Sequence, residues 1–251
     1  MSYDSYIVCT SPRSGSTLLC RLLAATGVAG NPESWFHEPS VTKWLVNLEL
    51  AEDAALSERD NLVRIFDAAI AKGSNNEGVF GLRLQRHSFY FLQQKLSAFN
   101  PGCLNDAQRF KTVFGNTLYI HLSREDKIRQ GVSYVRAMQS GLWHIAPDGT
   151  ELERLSAPGK LKYDADEIHK RVEEMTAYDQ SWKQWFASQQ IKPLQISYES
   201  LSGNPIETLG CVLDELEVNP NVAVGVEVSV AKLADRNSDK WVDRFRSRVN
   251  S

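Results

Sequence analysis

The chain has 251 residues, a net charge of −3 and a pI near 6.0, and these values exclude several classes of protein. The length allows one large α/β domain or two small ones, and 42% hydrophobic with 24% charged residues is ordinary for a globular protein with a full core. The negative charge argues against broad nucleic-acid binding as the main activity. No run of residues approaches the roughly 18 apolar positions that span a bilayer, so we expect no membrane span.

The N-terminus and the cysteines predict a cytoplasmic location. The first residues show no basic segment followed by an apolar one, so we expect no signal peptide. Cys9, Cys20, Cys103 and Cys211 are widely spaced and form no metal-ligand pattern. Four reduced thiols fit a cytoplasmic protein, and we expect no metal site.

Strand and helix patterns alternate along the chain. Short apolar runs predict strands at residues 6–9, 78–84, 117–122 and 193–197. Helical patterns cover residues 15–26, 62–70, 89–96, 125–138, 167–189 and 206–216. We predict a long loop over the site at residues 140–164, which hold glycine, proline and charges. The alternation predicts an α/β fold with three layers and a mainly parallel central sheet, whose ligands bind at the carboxyl ends of the strands.

The most informative motif is a phosphate-binding loop without its lysine. The first predicted strand leads into the sequence TSPRSGST at residues 10–17. Aligned with the G-x-x-x-x-G-K-[ST] pattern, Gly15 falls on the second glycine, Thr17 on the Ser/Thr and Ser16 on the lysine. Backbone N–H groups and a helix N-terminus still form an anion cradle there. The cation that reaches the β- and γ-phosphates is missing, so the loop predicts a phosphate ester other than a nucleoside triphosphate.

A second anion-binding element follows the strand at residues 117–122. Arg124 lies just past that strand, and Ser133 lies nine residues later in the next predicted helix. Both side chains can hold a second phosphate if the helix runs back past the first loop. The strand does not end in the carboxylate that P-loop NTPases use for Mg²⁺. A nucleotide with a phosphate at each end of its ribose therefore fits better than a triphosphate with its metal.

The two elements resemble those of the sulfotransferases, which use 3′-phosphoadenosine 5′-phosphosulfate (PAPS) and release 3′-phosphoadenosine 5′-phosphate (PAP). The chain resembles one branch closely, the bacterial Stf0-type, trehalose 2-sulfotransferase-like family. The matching segments are residues 11–19, 25–30, 78–81, 121–124, 132–133 with 136–137, and 238–246. The resemblance runs end to end and implies a single sulfotransferase domain over residues 1–251. It also implies sulfuryl transfer from PAPS to a hydroxyl of a carbohydrate or other small-molecule acceptor, in a P-loop-like fold that is often dimeric.

Carried over residue by residue, the resemblance implies a nucleotide site. The 5′-phosphosulfate would be held by Arg13, Ser14, Gly15, Ser16 and Thr17, and the 3′-phosphate by Arg124 and Ser133. A C-terminal loop at residues 236–240, with Arg236, Asn237 and Ser238, would close over the nucleotide.

The resemblance departs from the family at the catalytic base. The family carries a glutamate base in a G-E-P-x-E-F-F segment, whereas residues 30–38 here read GNPESWFHE. Aligned on the proline, Ser34 falls on the base position. Glu33 lies one residue earlier, and His37 and Glu38 lie three and four residues later. A proton acceptor is needed as the acceptor hydroxyl attacks, and Glu33 and His37 stay open as alternatives ahead of Glu38.

The remaining candidate site residues are cations and aromatics. Arg13 is the candidate for stabilising charge on the leaving phosphate, and Arg83, late in the strand at residues 78–84, is placed to help. Trp35, Phe36 and Glu38, with Trp143 farther along the chain, are candidates for an acceptor pocket, because sugars pack on aromatic faces.

Two other functions stay open. A P-loop kinase for a small metabolite would bind ATP in a Mg²⁺-dependent manner, against which the missing lysine argues. A non-catalytic nucleotide-binding relative would bind nucleotide without turnover, which Ser34 at the base position motivates.

Overall fold

The computed structural model describes residues 3–53, 55–74 and 78–249. The strands of this part of the chain are β1 (Ser5–Thr10), β2 (Phe80–Gln85), β3 (Thr117–Ser123), β4 (Leu142–Ile145), β5 (Glu151–Arg154) and β6 (Leu194–Ser197). Four of them form a parallel sheet in the order β2-β1-β3-β6, and β4 pairs with β5 in an antiparallel hairpin. The predicted α/β fold with a parallel central sheet is confirmed.

The helices connect and cover these strands. They are α1 (Ser16–Ala25), α2 (Val41–Asn47), α3 (Glu58–Gly73), α4 (Arg86–Phe99), α5 (Asp106–Phe114), α6 (Lys127–Ser140), α7 (Ala165–Ser188), α8 (Tyr198–Gly203), α9 (Pro205–Glu215) and α10 (Arg236–Val249). A 3₁₀-helix covers Pro220–Ala223. None of the described helices is both long and apolar enough to cross a membrane.

The central strand β1 is buried on both faces, because its side chains alternate between two apolar layers. Ile7 and Cys9 belong to a cluster that includes Trp182 and other aromatic side chains of α3, α4, α5 and α7. Tyr6 and Val8 belong to the opposite cluster, built with leucines of α1 and α9. The sheet between two helical layers gives the three-layer arrangement.

The register of the sheet brings the ends of three strands together. Thr10, the last residue of β1, lies opposite Gln85 at the end of β2 and opposite Leu122 near the end of β3. The segments that leave these strands therefore open at the same edge of the sheet, where ligands of such folds bind.

Two segments that the sequence predicted as loops contain regular structure. The predicted loop at residues 140–164 contains the β4–β5 hairpin, which begins after Gly141 ends α6 in the left-handed conformation with φ of 72°. The predicted C-terminal loop at residues 236–240 is wrong, since these residues form the start of α10. Val242 and Phe245 of α10 are buried against Val132 and Val135 of α6, so the amphipathic stripe makes this segment helical.

Candidate active site

The phosphate loop at residues 11–15 leaves the first turn of α1 open to a ligand. Gly15 precedes the helix in the left-handed region with φ of 87°, and no side chain caps the helix. The N–H groups of the first turn therefore keep their capacity for an anion. A Cβ on Gly15 would lie 2.7 Å from a ring carbon of Tyr198, so both conformation and space require glycine.

The buried side chain of Ser14 stabilises the conformation of this loop. It is fully buried, donates to the Ser11 carbonyl at 2.7 Å and contacts the hydroxyl of Thr10. The hydroxyl therefore holds the loop, while Arg13, Gly15, Ser16 and Thr17 face the ligand space.

A cleft of about 760 Å³ opens at this edge of the sheet. Its volume is in the range of small-molecule sites. The phosphate loop, α6, the β4–β5 hairpin, α8 and residues 228–235 form its walls. The polar and charged residues on the walls include Arg13, Ser16, Thr17, Ser34, His37, Arg83, Arg124, Ser133, His144, Glu153, Asp235 and Ser238.

The two predicted phosphate-binding elements meet in the cleft. Arg13 Nε donates to Ser133 Oγ at 3.0 Å, and its Nη1 donates to the Trp143 carbonyl at 2.6 Å. Arg124 Nη1 lies 3.3 Å from the Arg13 carbonyl, to which it donates. Helix α6 thus runs back past the phosphate loop, so Ser133 reaches the same space as Arg124.

Arg124 is a buried cation whose hydrogen-bonding capacity is not filled. The residue is 8% exposed, its guanidinium lies 4.2 Å from the Tyr198 ring centre, and its Nε has no hydrogen-bond partner within the described residues. Burial lowers its pKa, while Tyr198, Glu199 and Asp126 act in the opposite direction. A buried cation is costly unless it is paired, so this guanidinium fits an anionic ligand.

Arg13 adds a second cation beside the first. Burial, and then Arg124, lower its pKa to about 10, so the guanidinium is charged at neutral pH. Among the ion pairs that the described ranges form, none includes Arg13 or Arg124. The two cations together make this half of the cleft selective for anions.

Arg83 organises the other half of the cleft. Its Nε donates to Ser34 Oγ at 2.7 Å, its Nη1 donates to Thr17 Oγ1 at 2.9 Å, and its Nη2 lies 3.8 Å from Glu33 Oε2. The serine at the family's base position therefore holds an arginine against the phosphate loop. A hydroxyl has no basicity at neutral pH, so this serine is not a proton acceptor.

A smaller polar cavity of about 190 Å³ adjoins the cleft at Arg83. Its walls are Thr17, Cys20, Arg21, Glu33, Arg83, His144, Leu152 and Glu153. Glu33 lies in this side cavity and not on the main cleft. Its backbone forms an isolated parallel bridge with Leu82, which fixes it at the edge of β2.

His144 is a residue of the site that sequence reasoning missed. It lies in β4, and its Nε2 is 3.0 Å from Thr17 Oγ1 and 3.3 Å from Glu153 Oε2. Burial, followed by the charges of Arg13, Arg83 and Arg21, lowers its pKa to about 3, so the ring is neutral at neutral pH. The sequence offered no metal-ligand spacing and no helical or strand periodicity that would have singled out this histidine.

The residues that follow Ser34 lie in two places, some at the cleft and others in the core. His37 lines the cleft with its ring centre 4.9 Å from that of His87, and burial, then Arg83, lower its pKa. Phe36 is 1% exposed and packs edge-on against Trp44 and Phe66, so its predicted place in an acceptor pocket is wrong.

The other predicted acceptor residues lie at different places. Trp35 packs against the same core cluster as Phe36, and Glu38 accepts a hydrogen bond from Asn47 at the surface. Neither lines the cleft, whereas Trp143 does, with its ring centre 5.8 Å from the Arg13 guanidinium carbon.

Only one of the three C-terminal residues predicted at the nucleotide site lines the cleft. Ser238 does so, and its N–H donates to Asp235 Oδ1 at 2.8 Å, whereas Arg236 and Asn237 lie outside the lining. Arg136 of α6 binds both carboxylate oxygens of Asp235 at 2.6 and 2.8 Å. This ion pair fixes the start of α10 over the cleft and holds the pKa of Asp235 well below its usual range.

Acidic, histidine and cysteine side chains do not gather into a metal-type cluster of three or more in residues 3–53, 55–74 and 78–249.

Comparison with known proteins defines the class of the enzyme. The family model described as Stf0 sulphotransferase matches residues 5–248. The chain therefore belongs to the Stf0 sulphotransferase family and is an enzyme that transfers sulfuryl groups.

Two similar relatives are each named trehalose 2-sulfotransferase. They come from Mycolicibacterium smegmatis (strain ATCC 700084 / mc(2)155) and Mycobacterium tuberculosis (strain ATCC 35801 / TMC 107 / Erdman). Each is 29% identical to this chain, over 96% of this chain and 94% of the relative.

Solved structures similar to the chain include two sulfotransferases. One is the sulfotransferase domain from the curacin biosynthetic pathway, with a TM-score of 0.48, 16% identity, and coverage of 100% of this chain and 98% of that one. The other is a sulfotransferase from Alicyclobacillus acidocaldarius, with a TM-score of 0.45, 15% identity, and coverage of 98% and 92%. The family assignment rests on the match over residues 5–248.

Proposed function

We propose that the protein transfers a sulfuryl group from PAPS to a hydroxyl of a carbohydrate or similar small acceptor. The observation that carries the proposal is the buried guanidinium of Arg124, whose Nε has no partner among the residues that the structure describes. This guanidinium lines the same cleft as Arg13 and the open N-terminus of α1. A donor with two separate anionic groups matches two separate anion-binding elements.

The residues at the two elements fit such a nucleotide. The 5′-phosphosulfate would contact Arg13, Ser16, Thr17 and the N–H groups after Gly15, and the 3′-phosphate would contact Arg124 and Ser133. PAPS supplies a sulfuryl group that is activated by its bond to a phosphate leaving group. Ser16 stands at the position of the P-loop lysine, so the cation that reaches the β- and γ-phosphates of a triphosphate is missing there.

The cations of the site can stabilise the negative charge of the leaving group. Negative charge develops on the phosphate oxygen as its bond to sulfur breaks, and fixed cations and N–H groups stabilise that charge without reorganisation. Arg13 is held for this role by Ser133 and the Trp143 carbonyl. Arg83, held by Thr17 and Ser34, would contact the oxygens of the group being transferred.

The acceptor side supports a polyhydroxylated substrate. The side cavity carries two carboxylates, Glu33 and Glu153, and two arginines, Arg21 and Arg83, which can exchange hydrogen bonds with sugar hydroxyls. Trp143 offers an aromatic face on the adjoining cleft. Because two relatives are named trehalose 2-sulfotransferase, trehalose is the first acceptor to test.

The experiment is a transfer assay with a panel of acceptors. Purified protein is incubated with PAPS and trehalose, other disaccharides or monosaccharides, and the products are identified by mass spectrometry. We expect a sulfated sugar, and we expect that Arg124→Ala greatly reduces its formation. Arg244→Ala is the matched control, since Arg244 also stacks on a tyrosine, Tyr163 at 4.0 Å, but lies outside the cleft.

A parallel incubation with ATP and Mg²⁺ separates the alternatives. A phosphorylated sugar would show a kinase and contradict the proposal. PAP binding without transfer to any acceptor or to water would point to a non-catalytic relative.

Three further predictions from the sequence accompany this function. A single domain over residues 1–251 predicts one cooperative unfolding transition. The homodimer is testable by light scattering, and the cytoplasmic location by cell fractionation.

A further inference from the structure

We infer that His144, paired with Glu153 on the β4–β5 hairpin, takes the proton from the acceptor hydroxyl during sulfuryl transfer. The inference rests on the proposed function and names the proton acceptor of that same site. It assigns the role to a residue more than one hundred positions away from the segment in which the family carries its glutamate.

The position of His144 carries the inference. Its Nε2 lies 3.0 Å from the hydroxyl of Thr17, a residue of the phosphate loop, and the ring lines both the main cleft and the side cavity. An acceptor bound in the side cavity with a hydroxyl at the phosphate loop would lie beside this ring. A general base has to lie within hydrogen-bond reach of the proton that it removes.

The hydrogen bonds around Thr17 leave the imidazole ready to accept a proton. Arg83 Nη1 donates to Thr17 Oγ1 at 2.9 Å, so the hydrogen of this hydroxyl is free to point at His144 Nε2. In that arrangement Nε2 is an acceptor and the ring hydrogen lies on Nδ1. An acceptor hydroxyl that replaces Thr17 as the donor to Nε2 meets a ring in the required protonation state.

The charges around the ring change when the donor binds. Three arginines disfavour protonation of the His144 ring, namely Arg13 of the phosphate loop, Arg21 of α1 and Arg83 of β2. The carboxylates that face the ring are Glu153 of β5 and Glu33 in the side cavity. An anionic donor in the cleft offsets the arginines, and the pKa of His144 then rises from its low value. The base therefore gains strength when the group to be transferred is present.

Glu153 stabilises the imidazolium that forms when His144 accepts the proton. Its Oε2 lies 3.3 Å from His144 Nε2, on the strand that pairs with the strand of the histidine. Once Nε2 carries the proton, it can donate to this carboxylate. Both contacts are to Nε2, so Glu153 acts on the protonated ring, unlike the acid of a Ser-His-Asp triad, which binds the other ring nitrogen.

The two bases predicted from the sequence are less well placed. Glu33 Oε2 lies 3.8 Å from the cationic Arg83 Nη2 and faces only the side cavity. His37 lines the cleft, but its ring packs edge-on against that of His87, and it makes no hydrogen bond to the phosphate loop within the described ranges. Neither side chain contacts Thr17.

The chemical step balances with His144 as the proton acceptor. The acceptor oxygen forms a bond to sulfur while the bond from sulfur to the 5′-phosphate oxygen breaks, and that oxygen keeps the electron pair as PAP leaves. The hydroxyl proton passes to Nε2 and then to solvent. No oxidation or reduction takes place.

The first test compares variants at the three candidate bases. We expect His144→Gln to lower kcat by about 10²- to 10⁴-fold, the range of general-base catalysis, with unchanged affinity for PAP. Glu33→Gln and His37→Gln should lower kcat much less. His169→Gln is the matched control, because His169 is an exposed histidine of α7 outside the cleft. Transfer to trehalose is the readout, or transfer to water if no sugar reacts.

The second test reads the histidine directly. In NMR titrations of the full chain, the pKa of His144 should rise when PAP is added, and Glu153→Gln should lower it again. Added imidazole should restore part of the activity of His144→Gly, which leaves space for a free base.

These outcomes separate the inference from the proposed function. Full activity of His144→Gln, or a larger loss in Glu33→Gln or His37→Gln, would overturn the role of His144 while wild type still transfers sulfuryl groups. An unchanged pKa of His144 on PAP binding would overturn its activation by the donor. A wild-type protein that binds no PAP would instead overturn the proposed function.

Discussion

The two halves of the cleft are built in different ways. The donor half consists of two short continuous segments, residues 10–17 and 124–133, which follow neighbouring strands β1 and β3. The acceptor half gathers Ser34, Arg83, His144 and Glu153 from four separate segments. A site on a continuous segment can be recognised as a sequence motif. A site whose residues come from separate segments forms only when the chain folds.

The halves also differ in how their arginines are bound. Arg124 keeps a buried Nε without a partner, and neither Arg13 nor Arg124 belongs to the ion pairs of the described ranges. Arg83 is already engaged with Ser34, Thr17 and Glu33. The donor half is therefore prepared for an anion, and the acceptor half is prepared to orient groups around the reacting atoms.

The largest effect expected in the donor half is that of Arg13→Ala. We expect kcat to fall by about 10²- to 10³-fold, because a preorganised hydrogen-bond donor to the leaving phosphate is lost. The measurement is steady-state kinetics with PAPS. Arg59→Ala is a suitable control, since Arg59 lies over Phe99, away from the cleft. A change confined to KM would show that Arg13 binds the donor without stabilising the transition state.

Gly15→Ala tests the backbone of the donor half. We expect a loss of roughly 1–3 kcal/mol in the free energy of unfolding, because alanine at φ of 87° is strained and its Cβ would clash with Tyr198. Urea denaturation measures this loss. Gly210→Ala is the matched control: Gly210 lies in α9 with open space around its Cα, so alanine should stabilise by about 0.5–1 kcal/mol. Equal effects of the two substitutions would contradict the account of Gly15.

Acidification should weaken the protein through the acceptor half. The pKa of His144 is about 3 in the folded protein, against about 6.5 for an ordinary histidine, so the unfolded chain binds the proton first. The contribution of His144 to stability is therefore full above pH 6.5 and declines as the pH falls toward 3. Between pH 7 and pH 4.5 we expect a loss of about 1–2 kcal/mol from this residue, allowing for its partial exposure.

Urea denaturation of wild type and His144→Gln at both pH values isolates this contribution. His37 and His87 also have lowered pKa values, so the comparison must be between the two proteins rather than between two pH values alone. If both proteins lose the same stability on acidification, the ring of His144 is not held neutral by its surroundings.

The smallest effect is expected for Ser34→Ala. The substitution removes one acceptor of Arg83, and such a hydrogen bond contributes about 1 kcal/mol. We expect kcat/KM to fall by roughly fivefold. A loss as large as that of His144→Gln would show that this serine takes part in proton transfer.

The sequence predicted the donor half well, because its signals are local. The phosphate loop follows an apolar strand and precedes an apolar helix, and Arg124 and Ser133 flank the start of the next helix, so the topology of a parallel sheet brings them together. Ser16, in place of the P-loop lysine, argued against a nucleoside triphosphate as the ligand.

The acceptor half could not be predicted in the same way. The contact between Thr17 and His144 joins residues 127 positions apart, and the short hairpin that carries His144 has no pattern strong enough to reveal a strand. The sequence also did not show which way each aromatic side chain points. Phe36 enters the core, whereas Trp143 lines the cleft. Helix α10 was not predicted, because charged residues fill half of its positions and its apolar residues are few.

The most direct test of the account is a calorimetric titration with PAP, without metal, of wild type, Arg124→Ala and Arg244→Ala. We expect wild type and Arg244→Ala to bind PAP equally, and Arg124→Ala to bind roughly 10- to 100-fold more weakly, because a charged hydrogen-bond donor is lost. Failure of wild type to bind PAP, together with binding of ATP and Mg²⁺, would contradict the assignment of this cleft to a sulfuryl donor with two phosphate groups.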